Sequence, residues 1–181
     1  MHLFWRHGYE TTSISDLTAA MGITPPSLYT AFGDKRRLFL EAVRRYAGEP
    51  EAAEAAIADA PSAHDAAQTL LTGAVEMFTG ADTPPGCLLA SATASGSAAS
   101  QDVQAVVAAY RRRITDALTA RIERDVAAGV LPRGADAGAL AGLVVAVIQG
   151  LSVLARDGAP RTALAGVADA ALRAWPEDVT A

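Results

Sequence analysis

The chain contains a single cysteine and three histidines, and aromatic residues make up only 6% of its 181 positions. A lone cysteine excludes an intrachain disulfide framework and points to a reducing compartment. His2, His7 and His64 have no metal-ligand spacing, so neither a metal nor another cofactor is expected. No glycine-rich phosphate loop occurs, and no nucleophile–base constellation can be assembled with Cys87 as the only thiol. The serine-rich run SATASGSAAS is low-complexity rather than a nucleophile elbow. An enzyme is therefore not expected. No basic stretch followed by an apolar one opens the sequence, so nothing signals secretion and a cytoplasmic protein is expected.

What the chain does contain is helix-forming material. Hydrophobic residues reach 51%, mostly Ala, Leu and Val. Alanine-rich segments poor in β-branched residues favour helix, so an all-α protein is expected. The length suits one domain, or a small domain fused to a larger one, with a real core.

The most informative stretch is SISDLTAAMGITPPSLYTAFGDK, from Ser13 to Lys35. Ser13 and Asp16 have capping-box spacing: the hydroxyl accepts from the Asp16 amide while the carboxylate reaches back to the Ser13 amide. Ile14, Leu17 and Met21 recur at helical spacing on one face, which predicts a helix facing inward there. Gly22 stops it in the left-handed conformation, and Ile23 is expected to plug the corner. Thr24 caps a second helix, Pro25 suits its first turn, and Leu28 and Phe32 are expected to point inward. Pro25, Pro26, Ser27, Tyr29 and Thr30 remain outside, with no charge to oppose phosphate. Helix, glycine turn, helix is the arrangement that puts a second helix into a major groove.

At these residues the sequence resembles a known family. GYETTSISDLTAAMGITPPSLYTAFGDKRRLF is similar to the DNA-binding domain of TetR-type transcriptional repressors, over Phe4 to Tyr46. The resemblance implies a three-helix DNA-binding domain followed by a larger helical domain that binds a ligand and dimerises through its last two helices. It also implies a repressor that acts on an inverted-repeat operator. Carried over by position, Ser13 would bond a phosphate as well as cap, and Ser15 would lie at the groove edge. Pro25 and Pro26 would meet base edges, offering apolar contact to a thymine methyl in place of a hydrogen-bond code. Discrimination then leans on Ser27, Tyr29, Thr30 and DNA shape. Tyr29 serves either as that contact or as a plug between helices. Thr24 is primarily a cap, and Lys35 stands where a cation can reach a phosphate.

Charge divides along the chain. Residues 1–48 hold six basic against four acidic residues, a net +2, and the remainder nine against sixteen, a net −7. A positive head seeks phosphate while an acidic body discourages indiscriminate adhesion. A +2 head is weak alone, so useful affinity requires two heads acting together.

The remaining segments read as helices separated by Gly and Pro. Met1 to His7 forms about two turns closed by Gly8, too short to stand unless packed. The resembled family has a first helix about twice as long after a basic arm. Either the sequence starts short of that helix or the protein dispenses with the arm. Lys35 to Tyr46 predicts a helix with Leu38, Phe39, Ala42, Val43 and Tyr46 inside. Its outer arginines, Arg36, Arg37, Arg44 and Arg45, face either DNA or solvent. Gly48 and Pro50 place a boundary between domains 1–48 and 49–181. Residues 51–61 form a helical extension or a linker. Helices follow over Ser62–Thr79 (Ala66, Leu70, Ala74, Met77 and Phe78 inward), Cys87–Ala99, Gln101–Ala128, Asp136–Arg156 and Pro160–Trp175.

Ala137 to Ala155 carries no charge over nineteen residues, near the length of a membrane span. Gln149, Ser152 and three glycines interrupt it and no basic cluster flanks it, so burial in protein is expected rather than a membrane anchor. Gly138, Gly142, Ala146 and Gly150 make a smooth ridge that serves close packing within the subunit or against a second copy. The resemblance favours a homodimer, with Gly142, Ala146, Gly150, Leu164, Val167 and Ala171 at the interface. A small, mostly apolar inducer is expected to bind among Met77, Phe78, Cys87, Leu88, Leu89, Val107, Tyr110, Arg111, Ile114, Val147 and Gln149, any one of which reads more plainly as ordinary core. Cys87 follows Pro-Pro-Gly at a helix start, where the dipole lowers a thiol pKa and permits an oxidant or electrophile sensor; a buried inert thiol is the plainer reading. A helical adaptor without DNA binding is the third class open to this sequence.

Overall fold

The computed structural model describes residues 1–93 and 100–176, and helix is the only regular structure among them. The helices are α1 (His2–His7), α2 (Ile14–Met21), α3 (Pro25–Phe32), α4 (Lys35–Ala47) and α5 (Pro50–Asp59). They continue with α6 (Ala63–Phe78), α7 (Leu88–Thr93), α8 (Gln101–Ala128), α9 (Ala137–Arg156) and α10 (Arg161–Arg173). The helix expected over Cys87–Ala99 is seen to Thr93; residues 94–99 lie outside the described residues.

Two compact units emerge. The first is Met1–Glu49 with Cys87–Ala109, the second Pro50–Gly86 with Tyr110–Ala181. Thus α7 and the first nine residues of α8 belong with the amino-terminal helices.

In the first unit, Phe4, Leu28, Phe39 and Val43 are buried almost completely. Phe4 meets Phe39 edge-on at 5.2 Å, Tyr9 meets Phe39 at 5.1 Å, and Trp5 meets Tyr46 at 4.7 Å. These few aromatics concentrate where α1 is too short to hold itself. Helix α1 also packs against α7. The Ser91 hydroxyl donates to the Trp5 carbonyl at 2.8 Å, and that of Thr12 to the Gly8 carbonyl at 2.7 Å. Gly8 has φ 84°, and a β-carbon there would stand 2.7 Å from the Ser91 carbonyl, so only glycine lets the two backbones approach.

In the second unit, α6, α9 and α10 pack against one another. The buried stripe of α6 is Ala63, Ala66, Ala67, Leu71, Ala74, Val75 and Phe78. Two expected inward residues are corrected: Met77 is 42% exposed and Leu70 only half-buried. In an alanine-rich helix the apolar stripe can turn by one position without losing its period, and here it runs through Leu71. The segment 51–61 is helix over α5, with one buried side chain, Ile57. Polar groups hold it to α8: Arg113 bonds Glu51 at 2.7 Å and also Glu54, and Arg124 donates to the Ala58 carbonyl. Arg121 and Asp125, both buried, pair one turn apart on α8. Asp125 also accepts from the Ala63 amide at 2.6 Å, and Arg121 donates to the Pro61 carbonyl at 2.8 Å. The corner between α5 and α6 is therefore held by a buried ion pair.

Helix α9 differs from the others in this unit. It is long and apolar enough to cross a membrane, yet only 22% of its apolar window is buried within the chain. Of the two packings open to it, within the subunit or against a second copy, the first accounts for one stripe only: Ala141, Val144, Leu151, Ser152 and Ala155 are buried, and Leu143, Val153 and Leu154 are exposed.

Candidate nucleic-acid interface

The geometry of the two-helix unit follows its capping chemistry. The Asp16 amide donates to Ser13 Oγ at 3.0 Å and the Ser13 amide to Asp16 Oδ2 at 2.9 Å, which closes the capping box. Those hydrogen bonds from Ser13 hold the Asp16 carboxyl below its ordinary pKa. Gly22 is left-handed at φ 65°; its amide donates to the Ala19 carbonyl and that of Ile23 to the Thr18 carbonyl at 3.1 Å, a complete Schellman ending. Thr18, buried, sends its hydroxyl to the Ile14 carbonyl at 2.9 Å.

Thr24 caps α3, accepting from the Ser27 amide at 3.4 Å, and Leu28 anchors the helix with no exposed surface. Thr24, Pro25, Pro26, Ser27, Tyr29 and Thr30 all lie outside. Tyr29 is 48% exposed, so it is not a plug between helices. Two hydroxyls are occupied locally: Ser27 Oγ pairs with Thr24 Oγ1 at 3.0 Å, and Thr30 donates to the Pro26 carbonyl at 2.9 Å. That leaves Tyr29 as the large polar group standing clear of the helix. Ser13 and Ser15 are exposed on α2. Two inward expectations are corrected. Met21 is 40% exposed and Ile23 36%, because the Schellman bonds already fix the corner without an apolar plug.

Lys35 is half-buried rather than free. Its Nζ donates to the Glu10 carbonyl at 3.2 Å and lies 4.6 Å above the Tyr9 ring. Burial holds its pKa below the ordinary lysine value, with Glu10 and Asp16 opposing. Arg36 pairs with Asp102, and Arg44 with Glu41 at 3.0 Å.

The ligand candidates divide between the units. Cys87, Leu88 and Val107 are buried residues of the first. In the second, Phe78 is buried, Tyr110, Arg111, Ile114, Val147 and Gln149 are half-buried, and Met77 is exposed. Open grooves occur elsewhere: one in the first unit along Phe32, Leu38, Glu41 and Arg45, another in the second along Glu54, Ala58, Ala117 and Arg124.

Among the expected interface residues, Ala146, Gly150 and Val167 are exposed and Gly142 and Ala171 half-buried. Leu164 is corrected: it is fully buried in its own unit, on the α10 face that packs inward with Ala168. A β-carbon at Gly142 or Gly150 would touch nothing within 4 Å, so packing within the subunit does not require glycine there. The Arg121–Asp125 network has no signature that marks it as buried in the sequence. An Arg–Asp pair four apart is visible in the sequence, but its burial depends on the distant Ala60–Ala63 corner.

A capped helix, a left-handed glycine turn and an exposed uncharged second helix make a helix-turn-helix, the class of a DNA-binding transcriptional regulator. Comparison with known proteins names the family. Residues 1–42 match the bacterial regulatory proteins of the tetR family, and residues 63–171 match the tetracyclin repressor-like C-terminal domain. The HTH-type transcriptional repressor ComR of Escherichia coli is 33% identical over 179 residues, 98% of this chain and 85% of the relative. The HTH-type transcriptional repressor BdcR of the same species is 44% identical over 46 residues, 25% of this chain and 23% of that protein. A solved structure of the TetR family transcriptional regulator CifR, a cysteine mutant complexed with 26-bp double-strand operator DNA, superposes with a TM-score of 0.87. It is 40% identical, covering 97% of this chain and 92% of that one. The chain belongs to the TetR family of transcriptional regulators, and its relatives are regulators rather than enzymes.

Proposed function

We propose that this protein is a cytoplasmic, dimeric repressor that grips an inverted-repeat operator through α3 of each subunit and releases it when a small, mostly apolar inducer binds. The observation that carries the reading is the outer face of α3. It is exposed from Thr24 to Thr30, uncharged, anchored by Leu28, and led by Tyr29. The CifR complex, a similar fold bound to operator DNA, supports the same use of the helix here.

The dimer rests on α9 and α10. Leu143, Val153, Leu154 and Val167 are exposed apolar side chains on these helices, beside Gly142 and Gly150, where an added β-carbon would meet nothing within 4 Å; such side chains suit burial by a partner. A second copy laid on this surface would bury it and give the molecule two α3 helices, which an inverted repeat with half-sites roughly 34–36 Å apart requires. Residues 1–48 then act as the DNA head and 49–181 as the main source of ligand and dimer contacts. Selection of bound duplexes from random DNA tests the reading, followed by a screen for compounds that release them. Recovery of an inverted repeat is expected. Recovery of no sequence, or release by no compound class, would overturn the DNA or the inducer part respectively.

A further inference from the structure

The two cations that open α4 are each held by a group from outside that helix. Lys35 is claimed by the Glu10 carbonyl and the Tyr9 ring. Arg36 Nε donates to the carboxylate of Asp102, in the first turn of α8. The start of α8 is fixed in turn. Asp102 Oδ1 accepts from the Val103 amide at 2.8 Å, the Ser100 hydroxyl donates to Glu10 Oε1 at 2.6 Å, and Gln104 Nε2 donates to Ser100 Oγ at 3.0 Å. All of these residues belong to the first unit.

The Arg36–Asp102 pair is open to solvent, with side-chain exposures of 43% and 51%. An exposed pair of this kind adds little to stability and is screened by salt. A guanidinium also makes its strongest bonds to planar or tetrahedral oxyanions, phosphate among them. Arg36 follows Lys35 directly, four residues after the end of α3, where a phosphate beside the reading helix would come to rest.

Resting on the DNA-binding reading above, we infer that Asp102 is an internal stand-in for a duplex phosphate: its carboxylate occupies Arg36, withholds one cation from the DNA-facing side and lowers affinity for DNA. Arg36 is thereby a latent phosphate contact, and Asp102 the residue that sets its strength. A duplex wins Arg36 only by displacing the carboxylate, which then stays beside the phosphates as a repelling charge. The first unit trades grip for reversibility.

The test compares wild type with Asp102→Asn, Arg36→Gln and the double variant on two labelled probes. One is a duplex recovered from random-sequence selection, the other a mixed-sequence duplex of equal length. Asparagine preserves the acceptor for the Val103 amide, and Asp102→Ser, also suited to a helix start, is carried in parallel should the first variant fold poorly. Glu41→Gln, which breaks the exposed Arg44 pair on α4, controls for the change in net charge. Asp102→Asn is expected to tighten binding about two- to fivefold on both probes, beyond the control. It should also steepen the dependence of log affinity on log salt by about 0.9, one additional phosphate. Arg36→Gln alone should change little, and should erase the gain in the double variant. A gain no larger than that of Glu41→Gln, or one that survives Arg36→Gln, overturns the inference while leaving DNA binding intact. Absence of salt-dependent binding by wild type overturns both readings.

Discussion

Tyr29 and Asp125 show how differently two single side chains bear on this protein. Tyr29 is exposed and supports nothing inside the fold. Tyr29→Ala should therefore leave thermal unfolding unchanged while weakening specific duplex binding by about 1–3 kcal/mol, roughly five- to a hundred-and-fiftyfold; electrophoretic titration on a selected duplex checks this, and unchanged binding removes Tyr29 from the interface. Asp125 is the opposite case. Its carboxylate holds buried Arg121 and the first amide of α6. Asp125→Ala leaves a buried guanidinium unpaired and should cost about 3–5 kcal/mol in urea unfolding, with a loss below ~1 kcal/mol contradicting the network's role. Gly22 lies between these extremes. At φ 65° it has open space around it, so Gly22→Ala meets no clash and should cost about 1 kcal/mol of backbone strain alone.

Among the elements, those with local chemical signatures were legible in the sequence and those defined by distant partners were not. The capping box, the left-handed Gly22, the Thr24 cap and the Leu28 anchor all follow from residues three or four apart, and each appears as expected. The inward face of α6 does not, since so many alanines leave room for the stripe to pass through Leu71 instead of Met77. Exposed Ile23 shows a corner fixed by backbone bonds rather than by a plug. The grouping of α7 with the amino-terminal helices depends on Ser91 reaching the Trp5 carbonyl, a contact 86 residues apart with no pattern to announce it. Helix α5 makes an element-scale prediction. Arg113 holds the Glu51 and Glu54 carboxyls below their ordinary pKa, chiefly through hydrogen bonds. Their folded pKa values are depressed, so the attachment is complete above the unfolded carboxyl value of 4.5 and is lost as pH falls through the folded values. Protection of the α5 amides, corrected for intrinsic exchange, should accordingly fall only below about pH 4.5, and Arg113→Met should lower it already at neutral pH and remove that pH dependence.

At the scale of the whole molecule, the proposed function joins the exposed apolar side chains of α9 and α10 to the uncharged face of α3. A single short helix reaches few bases and a +2 head attracts few phosphates, so two heads must be coupled to bind with purpose. Val153 is 58% exposed on α9. If the proposed dimer forms through these exposed side chains, Val153→Asp should give monomers in sedimentation and lose operator binding together with it, although α3 is untouched. The most direct measurement is a hydroxyl-radical footprint of the protein on a duplex recovered by selection. Two protected half-sites, their centres one helical turn or a multiple apart, both lost in Tyr29→Ala at an unchanged sedimentation coefficient, are the predicted result. A single protected patch, or a footprint that persists without Tyr29, would contradict it.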